Sequence, residues 1–322
     1  VFLYSSFILR NLVKSCGLLK RHLTTMSATV SSSSNVALFE NGELISTDTS
    51  SEEFLKSFPR GAYSSARTVG RSAIFNLERH VSRLINAAQT IALDEGTIEH
   101  LKEYLPSNDN MRERMIKEVG ASVKKYVDMY GAESELKITF LYTGWANKST
   151  PCLYIHLAPL KAFSTSVKVQ VLGKPRERAE AKDSRWVSER QQYTTKKRED
   201  VNEIILLGEG GKLPEGSETN FYVLQDGKIV TASEGILFGS VRDTVLQAAQ
   251  KLNIPVEFRT PTLDTISSWE GAMISSTSRL LLPVEGIYVG DPPTLHRLES
   301  PPKLLTLKDL VVQMVKEEST AF

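Results

Sequence analysis

Cysteine is almost missing from this chain. Cys16 and Cys152 are the only two in 322 residues, which leaves no disulfide framework and points to a reducing compartment. Histidine is scarce as well: the five present are scattered without paired ligand spacing, which argues against a metal site. Neither sign of charge is in surplus, since 39 Lys and Arg against 38 Asp and Glu leave +1, so composition gives no reason to propose nucleic acid as a partner. The apolar stretch at the start is broken by Arg10, far short of the roughly 20 residues a membrane span needs. No internal repeat, coiled coil or P-loop is present, and Gly208-Glu209-Gly210-Gly211 reads as a turn. What remains is a chain with 41% hydrophobic residues over 322 positions. That is enough for a sizeable core and long for one compact unit, so two domains are expected.

Residues 1–25 carry Arg10, Lys14, Lys20 and Arg21 with no acid, set among apolar and Ser/Thr residues. Two readings stand side by side. One is an organelle transit peptide, with a mitochondrial or plastid address; the other is a translated leader before an initiator at Met26, with a cytoplasmic one. Ser27 to Ser34 reads as a disordered lead-in. Folding is expected from 36, with a small α+β domain over 36–160, an interdomain connection at Lys161 to Ser166, and a larger α/β domain over 167–322.

The stretch from Gly211 to Arg242 organises the rest. Pro214-Glu215-Gly216 is a turn with a carboxylate, Asn220 to Leu224 is an apolar strand, Asp226-Gly227 is a hairpin signal, and Lys228 to Thr231 returns. Gly239-Ser240-Val241-Arg242 then opens an amphipathic helix. In that order the pieces imply a pocket with a carboxylate at one end and an anion-binding helix N-terminus at the other. A ligand with a basic ring nitrogen and a phosphate fits both ends, and pyridoxal phosphate is such a ligand.

Upstream, Val36 to Phe39 and Glu43 to Ile45 form a hairpin about Asn41-Gly42, and Ser51 to Ser57 forms a short helix. Tyr63 to Val69 alternates as a strand does. The spacing of Val81, Leu84, Ile85 and Ala88 predicts a helix with Asn76 as its cap, and His80 and Arg83 lie off its main apolar face. Asn110 to Tyr130 reads as a surface helix, and Lys137 to Tyr142 and Leu153 to Ala158 as strands. Enzymes that link a cofactor aldehyde to lysine need an amine that burial and neighbouring cations keep neutral. The residues alone leave Lys174, Lys182, Lys196 and Lys197 open for that role.

Three phrases carry a resemblance: Phe75-Asn76-Leu77-Glu78-Arg79-His80-Val81-Ser82-Arg83-Leu84, Gly239-Ser240-Val241-Arg242, and Ser275-Ser276-Thr277-Ser278 followed by Pro283-Val284. In this order and spacing, from about Val36 to about Val284, the chain resembles the class IV (fold type IV) pyridoxal-phosphate aminotransferases, which include D-amino-acid and branched-chain aminotransferases and aminodeoxychorismate lyase. The resemblance implies a two-domain α+β fold and pyridoxal 5'-phosphate as cofactor. It also implies an amino acid and a 2-oxo acid as substrates, and a homodimer. It places the covalent lysine on Lys182, counted without a gap from Glu203-Ile204-Ile205-Leu206, and the glutamate facing the ring nitrogen on Glu215. It places the phosphate contacts on Arg83, Ser240, Val241, Ser276 and Thr277, and substrate contacts on Tyr63 and Arg67. Two departures stand out. Val241 lacks the family's hydroxyl, which Ser240 supplies next door; and Asp183, Ser184 and Arg185 follow the lysine where the family has small, apolar residues. An aminotransferase is the expected activity, with an aminodeoxychorismate-type lyase and a non-catalytic cofactor-binding relative as alternatives. Arg279, standing where the family commonly has an acid, bears on what the pocket accepts.

Overall fold

The computed structural model describes residues 35–147, 149–162 and 164–322, so the leader discussed above lies outside the described residues. Alternating apolar and polar residues, punctuated by turns, build two sheets. The first uses Ala37–Glu40 (β1), Glu43–Ser46 (β2), Gly61–Val69 (β3), Ala73–Phe75 (β4), Leu136–Thr143 (β5) and Cys152–Pro159 (β6). The second uses Val167–Val171 (β7), Glu203–Ile205 (β8), Asn220–Gln225 (β9), Lys228–Thr231 (β10), Val256–Phe258 (β11), Trp269–Ser276 (β12), Leu280–Val289 (β13) and Thr294–Arg297 (β14). The chain then returns: Ser319–Ala321 (β15) pairs antiparallel with β4, so the first sheet runs β15-β4-β3-β5-β6-β1-β2. A three-residue strand carries no periodicity to betray it in sequence. The second sheet runs β11-β10-β9-β12-β13-β7-β8 and is mixed, with parallel pairing of β7 to both β8 and β13 and of β10 to β11. The Asp226-Gly227 hairpin forms as its sequence predicts, both residues taking positive φ (50° and 71°).

Each sheet packs two long helices on one face. In β3, Ala62 and Ala66 point into a core with Val81, Leu84 and Ala88 of the helix Leu77–Asp94 and with Met115 and Val119 of Asn108–Tyr130. Small side chains there let the helix lie close. The opposite face, with Tyr63 and Leu141, packs on Leu55 of the helix Ser51–Ser57 and on Val187. In the second sheet Tyr222, Met273 and Leu281 meet Val245 and Ala248 of the helix Ser240–Lys251 and Leu307 and Val311 of the helix Pro302–Glu317. Among the described residues no helix is long and apolar enough to cross a membrane.

Asn76 does not cap its helix as predicted. It sits in the left-handed region (φ 49°, ψ 51°), which turns its side chain from the first-turn amides, and its Nδ2 donates instead to the Ser240 carbonyl at 3.2 Å.

Candidate active site

Between the sheets lies a cleft of about 670 Å³ lined by Tyr63, Arg83, Lys182, Glu215, Ser240, Val241, Ser276 and Thr277. Eight of the nine residues singled out in sequence therefore meet in one space. The ninth, Arg67, does not line it. β3 register sets Arg67 opposite Lys137, four residues beyond Tyr63 or about 13 Å along the strand. There burial lowers the proton affinity of its guanidinium, with Glu135 as the counter-charge.

Lys182 owes its position to an edge. β4 pairs with β3 only at Thr68 and Val69, so the Gly61 to Ser64 end lacks a neighbour on that side. The segment Lys182 to Ser184 fills the place: Tyr63 N donates to Lys182 O at 2.9 Å, Ser184 N to Gly61 O at 3.0 Å, and Ala62 bridges Asp183. Gly61 is needed on the other flank, because a Cβ there would lie 2.5 Å from the Tyr142 carbonyl oxygen. The polar residues after the lysine now have an explanation. Arg60 donates to Asp183 Oδ2 through Nε (2.9 Å) and Nη2 (2.6 Å), and Gly61 N donates to Ser184 Oγ at 3.0 Å. Asp183 Oδ1 in turn accepts from Arg185 N at 2.9 Å. These bonds clamp the segment that follows the lysine. Lys182 Nζ stands 4.5 Å from the centre of the Tyr63 ring. Burial first, then Arg83, Arg176 and Arg190, hold the ammonium well below the usual lysine range.

Glu215, 2% exposed, is fixed on both oxygens. Arg176 donates to Oε1 through Nη2 (2.6 Å) and Nε (3.1 Å), while Leu237 N donates to Oε2 at 3.0 Å. Burial pushes the carboxyl up, and Arg176 and the Leu237 amide pull it back. Arg176 itself lies over Trp186, whose indole N–H donates to the Ser217 carbonyl at 2.9 Å.

The anion-binding end is built around Gly239, whose extended backbone (φ −64°, ψ 151°) begins the helix Ser240–Lys251. A Cβ on Gly239 would stand 2.3 Å from Asn220 Oδ1, which accepts the Gly239 amide. Ser240 Oγ and Thr277 Oγ1 share a hydrogen bond at 2.8 Å, joining the helix start to the turn after β12. Arg83, off the apolar face of its helix, is buried and turned to the cleft. Its Nη2 donates to Phe238 O at 2.8 Å, and burial with Arg79 nearby lowers its pKa to about 10. His80, also buried, shares a hydrogen bond with Ser64 Oγ at 2.8 Å and is held neutral.

Sequence reasoning passed over Arg176, Arg190, Glu218 and Lys137, all of which line the cleft. A lone charge in a polar loop or strand carries no signal of burial.

Three comparisons bear on this geometry. The family model for class IV amino-transferases matches residues 61–287. A probable branched-chain-amino-acid aminotransferase of Thermotoga maritima is 36% identical over 87 residues, which is 26% of this chain and 32% of that protein. The match thus spans about a third of the curated relative's length. The crystal structure of a putative branched-chain amino acid aminotransferase from the same organism superposes with TM-score 0.67 at 22% identity, covering 88% of this chain and 96% of that one. A hypothetical aminotransferase from Mycobacterium tuberculosis, in its alpha-ketoglutarate- and PMP-bound form, gives 0.68 at 17% identity over 88% and 99%. The fold is therefore fold type IV. Because the match begins at the first residue of β3, ends in β13 beyond every lining residue named here, and takes in well over half of the chain, the chain belongs to the class IV aminotransferase family.

Proposed function

We propose that this protein is a pyridoxal-phosphate-dependent aminotransferase, moving an amino group between an amino acid and a 2-oxo acid. The observation that carries the reading is the meeting, in one cleft, of a lysine with depressed proton affinity, a buried carboxylate, and a helix N-terminus with an arginine beside it.

The residues present fit the cofactor. Gly239 lets Asn220 Oδ1 close on the start of the helix and fix it, and the first amides of the helix, which have no carbonyl partners within it, are there for an anion. Thr219 Oγ1 is buried, without a hydrogen-bond partner, in a residue that lines the cleft. Arg83, Ser240, Val241, Ser276 and Thr277 would hold the phosphate, and Glu215 the ring nitrogen. When bound, pyridoxal phosphate supplies an electron-accepting ring conjugated to an aldehyde, which acidifies the carbon bearing the substrate's amino group.

Lys182, whose charged form is disfavoured by desolvation and by the guanidinium groups around it, can as the free amine attack a carbonyl and afterwards accept and return the proton at the substrate carbon. Tyr63 bounds the space beneath its Nζ. Arg176, paired with Glu215, opposes the upward push of burial on its carboxyl, and as the carboxylate Glu215 would hold a proton on the ring nitrogen. Trp186, tied to Ser217, packs its ring against Arg176 in this corner. The non-catalytic alternative drew on the charged residues after Lys182, and the Arg60 clamp supplies a structural reason for them. The family's homodimer belongs to the same proposal; a monomer in light scattering would refute that part.

Adding pyridoxal phosphate to the purified protein should give the absorption band of lysine-bound cofactor, an amino acid should convert it to the pyridoxamine form, and a 2-oxo acid should restore it. A band that no amino acid shifts would overturn the reading.

A further inference from the structure

Of the phrase Gly239-Ser240-Val241-Arg242, the cofactor reading uses the first three residues and leaves the last without a task. Gly239, Ser240 and Val241 line the cleft; Arg242 does not. It is only 4% exposed, and among the described residues it pairs with no carboxylate. Its Nε is buried with no hydrogen-bond partner. Burying a guanidinium without a counter-charge is costly, so the groups around it must compensate. Nη2 donates to Ala232 O at 2.8 Å, and the guanidinium carbon stands 5.2 Å from the centre of the Phe238 ring and 5.7 Å from that of Phe258 in β11. Ala232 and Phe238 lie near the two ends of the connection from β10 to the helix Ser240–Lys251. Ser233, Glu234 and Gly235 between them are exposed, which leaves the connection few other anchors.

The same connection joins the two ends of the site. Leu237 N donates to Glu215 Oε2 at 3.0 Å, and Phe238 O accepts from Arg83 Nη2 at 2.8 Å. Asn220 Nδ2 donates to Leu237 O at 2.7 Å, so the backbone between these two contacts is held as well. Consecutive residues thus set the carboxylate at one end and the arginine at the other, and a small shift of their backbone loosens both. The Phe238 ring takes no part in the cleft, and its packing partner is Arg242. A lysine at 242 would keep the charge, but it has no flat face to lie against a ring while donating in its own plane.

We propose that Arg242 is a positioning residue for the cofactor: from outside the cleft it holds Ala232 and Phe238, and so fixes the backbone against which Glu215 and Arg83 are set. The proposal rests on the aminotransferase reading and adds to it a residue that lines no part of the site.

The test titrates the purified protein with pyridoxine 5'-phosphate, which carries the ring nitrogen and the phosphate but no aldehyde, so its binding does not involve attachment to Lys182. Arg242→Lys and Phe238→Ala should each weaken binding about tenfold, the loss expected for one charged hydrogen bond. The double variant should be little weaker than either, because both remove one contact. Val245→Ala opens the core beneath the same helix and controls for stability alone: its melting temperature should fall while binding stays within about twofold. A pH profile gives a second readout. Arg176, the Leu237 amide and Lys182 act on the Glu215 carboxyl against burial. With the amide displaced the carboxyl rises, so the acid limb of binding should move to higher pH in Arg242→Lys, the ligand's own ionisations being common to both proteins. An acid limb that stays in place would overturn the proposal. So would a Val245→Ala variant that binds as weakly as Arg242→Lys, since the effect would then belong to the helix. A wild type that does not bind pyridoxine 5'-phosphate refutes the aminotransferase reading, whereas a wild type and variants that bind it equally well refute the positioning role alone.

Discussion

Replacing Asp183 by Asn removes the charge that Arg60 grips through two nitrogens at 2.9 and 2.6 Å, one residue from Lys182. The arginine and aspartate side chains are 19% and 14% exposed, so the pair is partly screened. Charged hydrogen bonds contribute about 1.5 to 3 kcal/mol each before such screening. Asn keeps one acceptor, and Arg60 keeps Asp94 at 2.8 Å and Glu95 at 3.2 Å. A loss of about 2 kcal/mol is therefore expected, lowering the melting temperature by roughly 3 °C for a protein of this size. Arg60→Ala should cost more, about 3 kcal/mol, because it takes the guanidinium from both Asp183 and Glu95, whereas Asp94 keeps Arg178. The double variant should fall short of the sum by about 1 kcal/mol, the signature of direct contact. Loosening the segment also misplaces the amine, so cofactor attachment to Lys182, followed by absorption, should slow about tenfold in Asp183→Asn. If melting and attachment are both unchanged, the two backbone bonds to β3 hold the lysine alone, and the clamp is incidental.

The other perturbations address single residues. Lys182→Ala should abolish covalent attachment: borohydride reduction of the wild type and peptide mapping should find the pyridoxyl group on Lys182, and its presence on Lys196 or Lys197 would refute the assignment. Arg83→Ala should weaken cofactor retention by about 1.5 to 3 kcal/mol, whereas Arg79→Ala, whose guanidinium is half-exposed and pairs with Asp243 at 3.4 Å, should not; equal affinities by titration would return Arg83 to a structural role. Glu215→Gln should still bind cofactor through Lys182 yet react far more slowly with an amino donor, because a carboxylate matters most as charge develops in the ring; a wild-type rate in stopped flow would contradict its placement. Burial lowers His156 from 6.5 to about 4. The unfolded chain therefore takes up a proton first, and stability present above pH 6.5 falls by up to about 3 kcal/mol as pH drops to about 4. His156→Gln should flatten that stretch of the melting profile.

Legibility in the sequence followed the range of the signal. Asp226-Gly227, the alternation of Tyr63 to Val69 and the spacing of Val81, Leu84, Ile85 and Ala88 are local, and the structure has the hairpin, strand and helix they predict. The cleft gathers Lys182, Glu215, Arg83 and the Ser/Thr turns because their order along the chain mirrors a known order, not because any one of them is distinctive alone. Arg67 and Lys137 show the limit. They are directly opposed in register, both are cations on half-buried strands, and only Lys137 lines the cleft. Nothing in either neighbourhood distinguishes them before the second sheet is in place. Asn76 failed as a cap for a similar reason, its amide being claimed by Ser240 more than 160 positions away.

The return of β15 to β4 has a practical consequence for handling the gene. Phe322 N donates to Ser72 O at 3.1 Å, and a Cβ built at Gly120 would touch the Phe322 ring at 3.6 Å, so the last residues are stitched to the first sheet. Cutting the coding sequence between Pro159 and Val167 would not yield two self-sufficient halves. The upstream piece would lack an edge strand, and the downstream piece would carry one with no sheet to join, trailing from the helix Pro302–Glu317.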